Sequence, residues 1–566
     1  MRSSPQVSSL ALIIRASTIR ACSLILAVTL VWFGALAGVM HAQTAPGMND
    51  VELNVIERTL PNGMRILMVE RHDSPTVGLY LLFKVGGVDD PEGRTGIAHV
   101  LEHMMFKGTQ TYGTTDYNAE VPMMQRIDRI YAELAEELRK QNSPLETADE
   151  AKIERLRQEM AEVQQEEREY IITDEFWQTT QRIGGVGLNA STGADSAQYF
   201  VQLPSNQLEV WAYLESDRLA NPVFREFYAE RDVVHEERRM RTDTRPENLL
   251  WESFQAAAFV AHPYRNPVIG WPSDISRLTR EEVLQYFKTY YAPNNAIAAI
   301  VGDIDPDKTY ALMEKYFGPI PSQAIPPRNI PDEPEPRGER RVVMEAEAQP
   351  RLYIGWLTPR IGHPDGFALD VLAQVWTGSG GGGHGGGGSS TGRLYKALVL
   401  DRKVALSVSA GNNTSLYPNL FLVTAIPAEG KTVEELEKAI YEEMARIATE
   451  PPTDEELARI RNGVDASMIR ALRSNSGIAR MIASVEHLAG SWRYLLTERE
   501  KMKAVTAEDV QRVAKQYFTS KNRTVAELRP LSDGDQAEEE GGPGPAAQRW
   551  PAAQHWPAAQ HWEESR

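Results

Sequence analysis

The sequence predicts an α+β protein of two homologous domains, each a mainly antiparallel sheet packed with helices. Three observations predict it. Residues 51–85 alternate apolar and polar side chains as strands do, and several later stretches space their apolar residues three and four apart as helices do. A helix-then-strand pattern also occurs twice, as TREEVLQYFKTYYAPNNAIAAIV and TAEDVQRVAKQYFTSKNRTVAEL. The copies match in register, Thr279 with Thr506, Glu281 with Glu508, Val283 with Val510, Tyr290 with Tyr517 and Asn295 with Asn522. Each reads as a capped helix followed by the strand that ends one half of the protein.

At 566 residues the chain exceeds one ordinary core, since a domain takes roughly 150 residues. A hydrophobic fraction of 42% and a charged fraction of 24% are those of a globular protein. The net charge of -18, with no basic stripe, argues against nucleic acid and for a peptide or protein substrate. Residues 1–42 read as a signal peptide: Arg2, Arg15 and Arg20 precede an apolar run at 21–40, and Ala42 offers a cleavage site. At about 20 residues the run could instead span a bilayer uncleaved, so a membrane anchor stays open. Either way the body is periplasmic or otherwise exported. Cys22, the only cysteine, lies in the signal, so the mature chain can hold no disulfide.

The N-terminal domain is expected over 50–320. Pro61-Asn62-Gly63 between two alternating runs predicts a hairpin, and Gly86, Gly87 and Gly93 break the third strand before Thr95 and Gly96 lead into a helix. Residues 122–172 form a charged insertion: Met124, Ile127, Ile130, Leu134 and Leu138 keep helical spacing, QNSPLET interrupts, and Ile153, Leu156, Met160 and Val163 resume it. A solvated helical hairpin is the expectation there. NASTGADSAQYFVQL then reads as a strand, LEVWAYLESDRL as a helix, and AERDVVHEERRMR as another, with Val233 and Val234 facing the core. A Pro-rich linker at 321–340 precedes a C-terminal domain at 341–530. Within that domain the glycine run at 378–388 should be a loop, and its His384 an ordinary loop residue. The tail at 531–566 repeats PAAQRW and PAAQHW and should be disordered.

The chemistry centres on HVLEH. Residues four apart on a helix lie about 40° apart around its axis, so His99 and His103 aim at one point and make half a zinc site. Glu102, on the adjoining part of that face, can take a proton from an attacking water without being a ligand. The order H-x-x-E-H is that of the inverzincins. Glu230 and Glu237 lie seven apart on the AERDVVHEERRMR helix and point to one side, which makes Glu237 the expected third ligand. Glu236 is rotated off that face, and His235 should be an ordinary surface residue.

Taken together, HVLEHMMFKGT, AERDVVHEE, NASTGADSAQYF, HPYRNPVIGW, YYAPNNA and GDIDPDK resemble the pitrilysin/insulinase-type zinc metallopeptidases, which include the mitochondrial processing peptidase. The resemblance runs over nearly all of 51–530 and leaves out the signal, the insertion, the glycine run and the tail. It implies domains that each form half of a clamshell, and one zinc per chain held by His99, His103 and Glu237. It further implies Glu102 as general base, Glu230 as an acid supporting the site, and Asn189 and Ala190 beginning an edge strand on which an extended peptide is laid.

Two departures stand out. The separation from His103 to Glu237 is longer than in the family, by the length of the insertion. In the second domain the family's substrate-holding Arg and Tyr, seven apart, align with Val399 and Leu406, while nearby Tyr395 and Arg402 are in the wrong order. The expected function is an exported zinc endopeptidase or oligopeptidase for short or unfolded peptides, acting as the zinc-bearing subunit of a heterodimer whose partner supplies Arg and Tyr. A non-catalytic structural or peptide-binding subunit of the same fold is the alternative.

Overall fold

In the first half, strand β1 (Ile56–Thr59) turns through Pro61–Gly63 into β2 (Arg65–Glu70), pairing Ile56 with Met68 and Thr59 with Arg65. Gly63 takes φ +91, the left-handed conformation this turn needs. Next come β3 (Thr76–Phe83), helix α1 (Ile97–Met104), the insertion helices α2 (Tyr117–Gln141) and α3 (Glu150–Arg168), and α4 (Glu175–Arg182). They lead to the hairpin β4 (Val186–Thr192) and β5 (Ala197–Pro204), then to helices α5 (Leu208–Ala220), α6 (Phe227–Arg238), α7 (Pro246–Ala258) and α8 (Arg280–Tyr290). Strand β6 (Ala296–Gly302) and helix α9 (Pro306–Phe317) close the half. The sheet order is β1-β2-β6-β3-β5-β4, with β6 parallel to β2 and antiparallel to β3. Every residue of β6 is buried, as befits a central strand.

This is a computed structural model, and it describes residues 53–378 and 390–531. The expected signal peptide or membrane anchor, the glycine run beyond Gly378 and the tail beyond Leu531 lie outside the described residues. No described helix is long and apolar enough to cross a membrane.

The second half repeats the first. It runs β7 (Arg340–Glu345), β8 (Arg351–Thr358), α10 (Pro364–Thr377), β9 (Ala405–Asn412), β10 (Asn419–Pro427) and α11 (Val433–Arg446). Helices α12 (Asp454–Ala471), α13 (Asn475–Ala489), α14 (Tyr494–Ala504) and α15 (Ala507–Tyr517) precede β11 (Arg523–Arg529). The order β7-β11-β8-β10-β9 matches β2-β6-β3-β5-β4 strand for strand, including the one parallel pair, β7 with β11. The repeat extends to single hydrogen bonds. Thr279 and Thr506 each cap a helix in a reciprocal capping box, with Glu282 and Asp509. Asn295 and Asn522 each donate through Nδ2 to a helix-end carbonyl at 2.9 Å, that of Tyr290 and of Tyr517.

The halves also exchange helices. Residues from Asn54 onward form one unit, in which α7 of the first half packs on β7, β8 and β11 of the second sheet. Its Leu250 and Phe254 are buried against Tyr353, Leu420 and Ala526. Conversely α13 of the second half packs on β3 and β6 of the first sheet. There Asn475 Nδ2 donates to the Thr76 carbonyl at 3.0 Å. A Cβ on Gly78 would stand 2.6 Å from the Asn475 backbone, which explains a glycine in the middle of β3.

Three expectations need correction. NASTGADSAQYFVQL is a hairpin of two strands, and β4 begins at Val186, three residues before Asn189, with a register shift between them. Only Val234 faces the core, whereas Val233 is 43% exposed on the outer side of α6. The insertion is more than a solvated spacer: its first helix starts at Tyr117, capped by Asp116, and buries Met124, Ile127, Ile130 and Leu134. Salt links from Arg126 to Glu159 and from Lys152 to Glu137 show that α2 and α3 run antiparallel.

Candidate metal centre

Helix α1 owes its position to its N-terminus. Gly96 sits at φ +87, where a Cβ would come 2.6 Å from the Ile269 carbonyl, so this chain crossing requires glycine. The Asp90 carboxylate accepts from Gly96 N at 2.7 Å and from Ala98 N at 3.3 Å, satisfying the first free donors of the helix. Val100, Leu101 and Met104 are fully buried, and that burial turns His99, Glu102 and His103 together toward the opposite, partly open side.

Opposite them stands α6. His103 Nε2 lies 3.4 Å from Glu237 Oε2, and His99 Nε2 lies 3.8 Å from the same oxygen. One ligand atom from each of the three residues falls within 4.8 Å of the others. Two ligands about 2.0–2.1 Å from a tetrahedral ion stand about 3.3 Å apart, so this set fits an ion of zinc's size with little adjustment. The donor set, two imidazoles and a carboxylate with one side open, is that of a catalytic rather than a structural zinc site. The 133 residues between His103 and Glu237, insertion included, do not separate them in space.

Around this set runs a chain of charge. His103 Nδ1 meets Glu230 Oε1 at 2.9 Å, and Lys107 Nζ reaches Glu230 Oε2 at 2.6 Å. Arg241, one turn beyond Glu237, pairs with that carboxylate. Burial opposes ionisation of Glu230 and Glu237, but Lys107 and His103 on the first, and the two histidines and Arg241 on the second, hold each at about 2. Burial with the neighbouring His103 pushes His99 down to about 3, so its imidazole is neutral and free to ligate. His103 goes the other way: burial disfavours its charge, yet hydrogen bonds to Glu230 and Glu237 raise it to about 10. In this arrangement the proton on His103 balances two carboxylates, a place that a bound divalent cation can take.

Glu102 accepts a hydrogen bond from Thr192 Oγ1 at 2.5 Å, and burial raises its pKa above the usual carboxylate range. The bond ties Glu102 to the end of β4, the outermost strand of its sheet, on which Asn189 and Ala190 lie. Sequence reading thus named every residue of the cluster but missed Thr192, Lys107 and Arg241. The four-residue spacing of Arg241 from Glu237 was a usable signal, whereas Thr192 comes to Glu102 only through the fold. Glu236 is exposed, as expected, and bonded to Arg239 at 2.8 Å. In the second half Leu406 is 58% exposed on β9, Val399 and Tyr395 lie in one wide helical turn, and Arg402 pairs with Glu442.

A family model described as insulinase (peptidase family M16) matches residues 65–125, from β2 through the HVLEH helix. Another, described as the peptidase M16 inactive domain, matches residues 277–464. Each half thus contains a stretch that an M16 family model matches. Zinc protease PqqE of Helicobacter pylori is 26% identical to this chain over 505 residues, 88% of this chain and 96% of the relative. A protease structure from Helicobacter pylori superposes with a TM-score of 0.68 at 26% identity, covering 85% of this chain and 100% of its own. The periplasmic protease PqqL of Escherichia coli aligns with a TM-score of 0.62 at 16% identity, over 89% of this chain and 52% of its own, a likeness of fold alone. The fold is thus that of the M16 two-domain peptidases.

Proposed function

We propose that this chain is an exported zinc-dependent endopeptidase or oligopeptidase of short or unfolded peptides. The observation that carries the reading is the convergence of His99, His103 and Glu237 within 4.8 Å, beside a buried carboxyl, Glu102, on the same helix face. The names of relatives support it, zinc protease PqqE among them, and the apolar run at 21–40 behind Arg2, Arg15 and Arg20 supports export.

His99, His103 and Glu237 would hold one zinc, whose part is to acidify an attacking water and polarise the scissile carbonyl. Glu102 takes the water's proton as the new C–O bond forms and passes it to the leaving amine as the C–N bond breaks. Its raised pKa brings it nearer neutrality, which suits a group that must both accept and return a proton. Thr192 orients that carboxylate, and Glu230, itself fixed by Lys107, holds the His103 ring in place. The outer edge of β4, on which Asn189 and Ala190 lie, pairs with no further strand among the described residues and would take an extended peptide, and pairing through the main chain accounts for broad sequence tolerance.

The same reading makes the chain half of a heterodimer. Val399 and Leu406 cannot donate hydrogen bonds to a peptide carbonyl, so a partner of the same fold would supply the Arg and Tyr. The deciding experiment is zinc analysis of the purified mature chain together with cleavage of unstructured peptides, alone and with a second family member from the same source. Stoichiometric zinc and cleavage that Glu102→Gln abolishes are expected. Zinc binding with no cleavage in either setting would leave a peptide-holding subunit in its place.

A further inference from the structure

The second half has a counterpart of the metal-bearing helix, and it opens on a cavity. Helix α10 stands where α1 stands in the first half: each follows the strand antiparallel to the central one, β8 or β3, and packs on the capping-box helix, α15 or α8. Matching the buried pair Val371-Leu372 with Val100-Leu101 puts Asp370, Ala373 and Gln374 at the places of His99, Glu102 and His103. All three line a cavity of about 810 Å³ between the halves. Glu498 of α14 lines it as well, and so does the end of β9, the edge strand that corresponds to β4. On the first-half side the wall includes Ala194, two residues beyond Thr192.

Asp370 Oδ1 accepts from Asn412 Nδ2 at 2.9 Å. Among the described residues no cation forms an ion pair with Asp370 or Glu498, although Arg470 also lines the cavity. Burial pushes the Asp370 carboxyl up to about 7, with Glu498 adding to it, and burial raises Glu498 too. Carboxylates withdrawn from water without a counter-ion are costly to keep charged, and a ligand that brings a cation relieves that cost. The net charge of -18 attracts such ligands over a distance. At the place that His99 holds in the first half, the second half therefore carries a carboxyl group with no counter-ion among the described residues.

The geometry points to this cavity as a pocket for the lysine or arginine side chain of an extended peptide, whose backbone lies along the edge of β9 while its cationic group meets Asp370 and Glu498. The assignment rests on the peptidase reading and specifies which peptides the chain prefers.

The test titrates the full mature chain carrying Glu102→Gln with fluorescent peptides that differ at one position, lysine or norleucine, and reads binding by anisotropy. The lysine peptide is expected to bind at least about 10-fold tighter, as a charge-assisted hydrogen bond implies. Adding Asp370→Asn or Glu498→Gln should remove most of that preference and leave the norleucine peptide's affinity unchanged. Circular dichroism checks the fold. If Asp370→Asn does not fold, Glu498→Lys keeps the test decisive, because its ammonium would pair with Asp370 and should abolish the preference for the lysine peptide. Equal affinity for the lysine and norleucine peptides, or a preference that survives these substitutions, overturns the assignment. Binding is read without turnover, so the two readings separate. Charge-selective binding by a chain whose unmutated form cleaves nothing refutes the peptidase and keeps the pocket, and cleavage without charge selectivity does the reverse.

Discussion

Each residue of the metal centre is asked for a different property, and substitutions should separate them. Glu102→Gln fills the same space and can keep the Thr192 bond, but an amide cannot take a proton from water. Zinc content should be unchanged and turnover should fall by about 10² to 10⁴, measured as kcat on an unstructured peptide. Glu230→Ala leaves His103 Nδ1 without its 2.9 Å partner and should weaken zinc binding by about 10- to 100-fold in competition with a chelator, while a small loss of affinity would remove Glu230 from its supporting role. The protonation of His103 gives a pH dependence. With its pKa raised to about 10 in the absence of a cation, His103 must release a proton before it can ligate. Zinc affinity should therefore rise with pH across the neutral range, and affinity that is flat from about pH 6 to about pH 8 would contradict the assignment.

The elements show which parts of the design are local and which are not. The α8–β6 and α15–β11 pairs were legible in the sequence because their caps and closing asparagines are short-range chemistry. Thr279, Glu282, Asn295 and their counterparts act within a few residues of one another. Asn522→Ala frees two carbonyls, those of Tyr517 and Leu357, and should cost about 1–3 kcal/mol in urea unfolding. HVLEH was legible for the same reason, since helical spacing alone brings its imidazoles together. What could not be read was what lies on top of each sheet. That α7 covers the second sheet and α13 the first depends on chain crossings that leave only faint local marks, such as Gly78 in β3. The helical hairpin of the insertion was legible too, but not what its first helix docks on. Glu120 of that helix, which begins at Tyr117, is fully buried against Arg225, which also donates to the carbonyl of Lys107, just after α1. Arg225→Ala should thus cost about 3–5 kcal/mol by stranding Glu120, and a loss within experimental error would return the insertion to the status of a spacer.

At the scale of the molecule, a duplication has been put to two uses. The first half brings two imidazoles and a carboxylate together beside a buried acid, and the second, with the same strand order, keeps Asp370, Ala373 and Gln374 at the corresponding helix positions. Helix exchange makes the halves one unit, so that a peptide held by the second can be presented to the first. The heterodimer remains the proposal for how the missing Arg and Tyr are supplied, and full activity of the isolated chain, unchanged by a second family member, would sink it. The central claim is that His99, His103 and Glu237 form a working zinc site. It is tested most directly by measuring zinc bound per chain and peptide cleavage in one titration of the metal-free mature protein, beside Glu237→Gln. The account predicts one zinc per chain, with cleavage appearing in step with occupancy and both weakened in the variant. Cleavage that ignores zinc, or zinc bound equally well by Glu237→Gln, would contradict it.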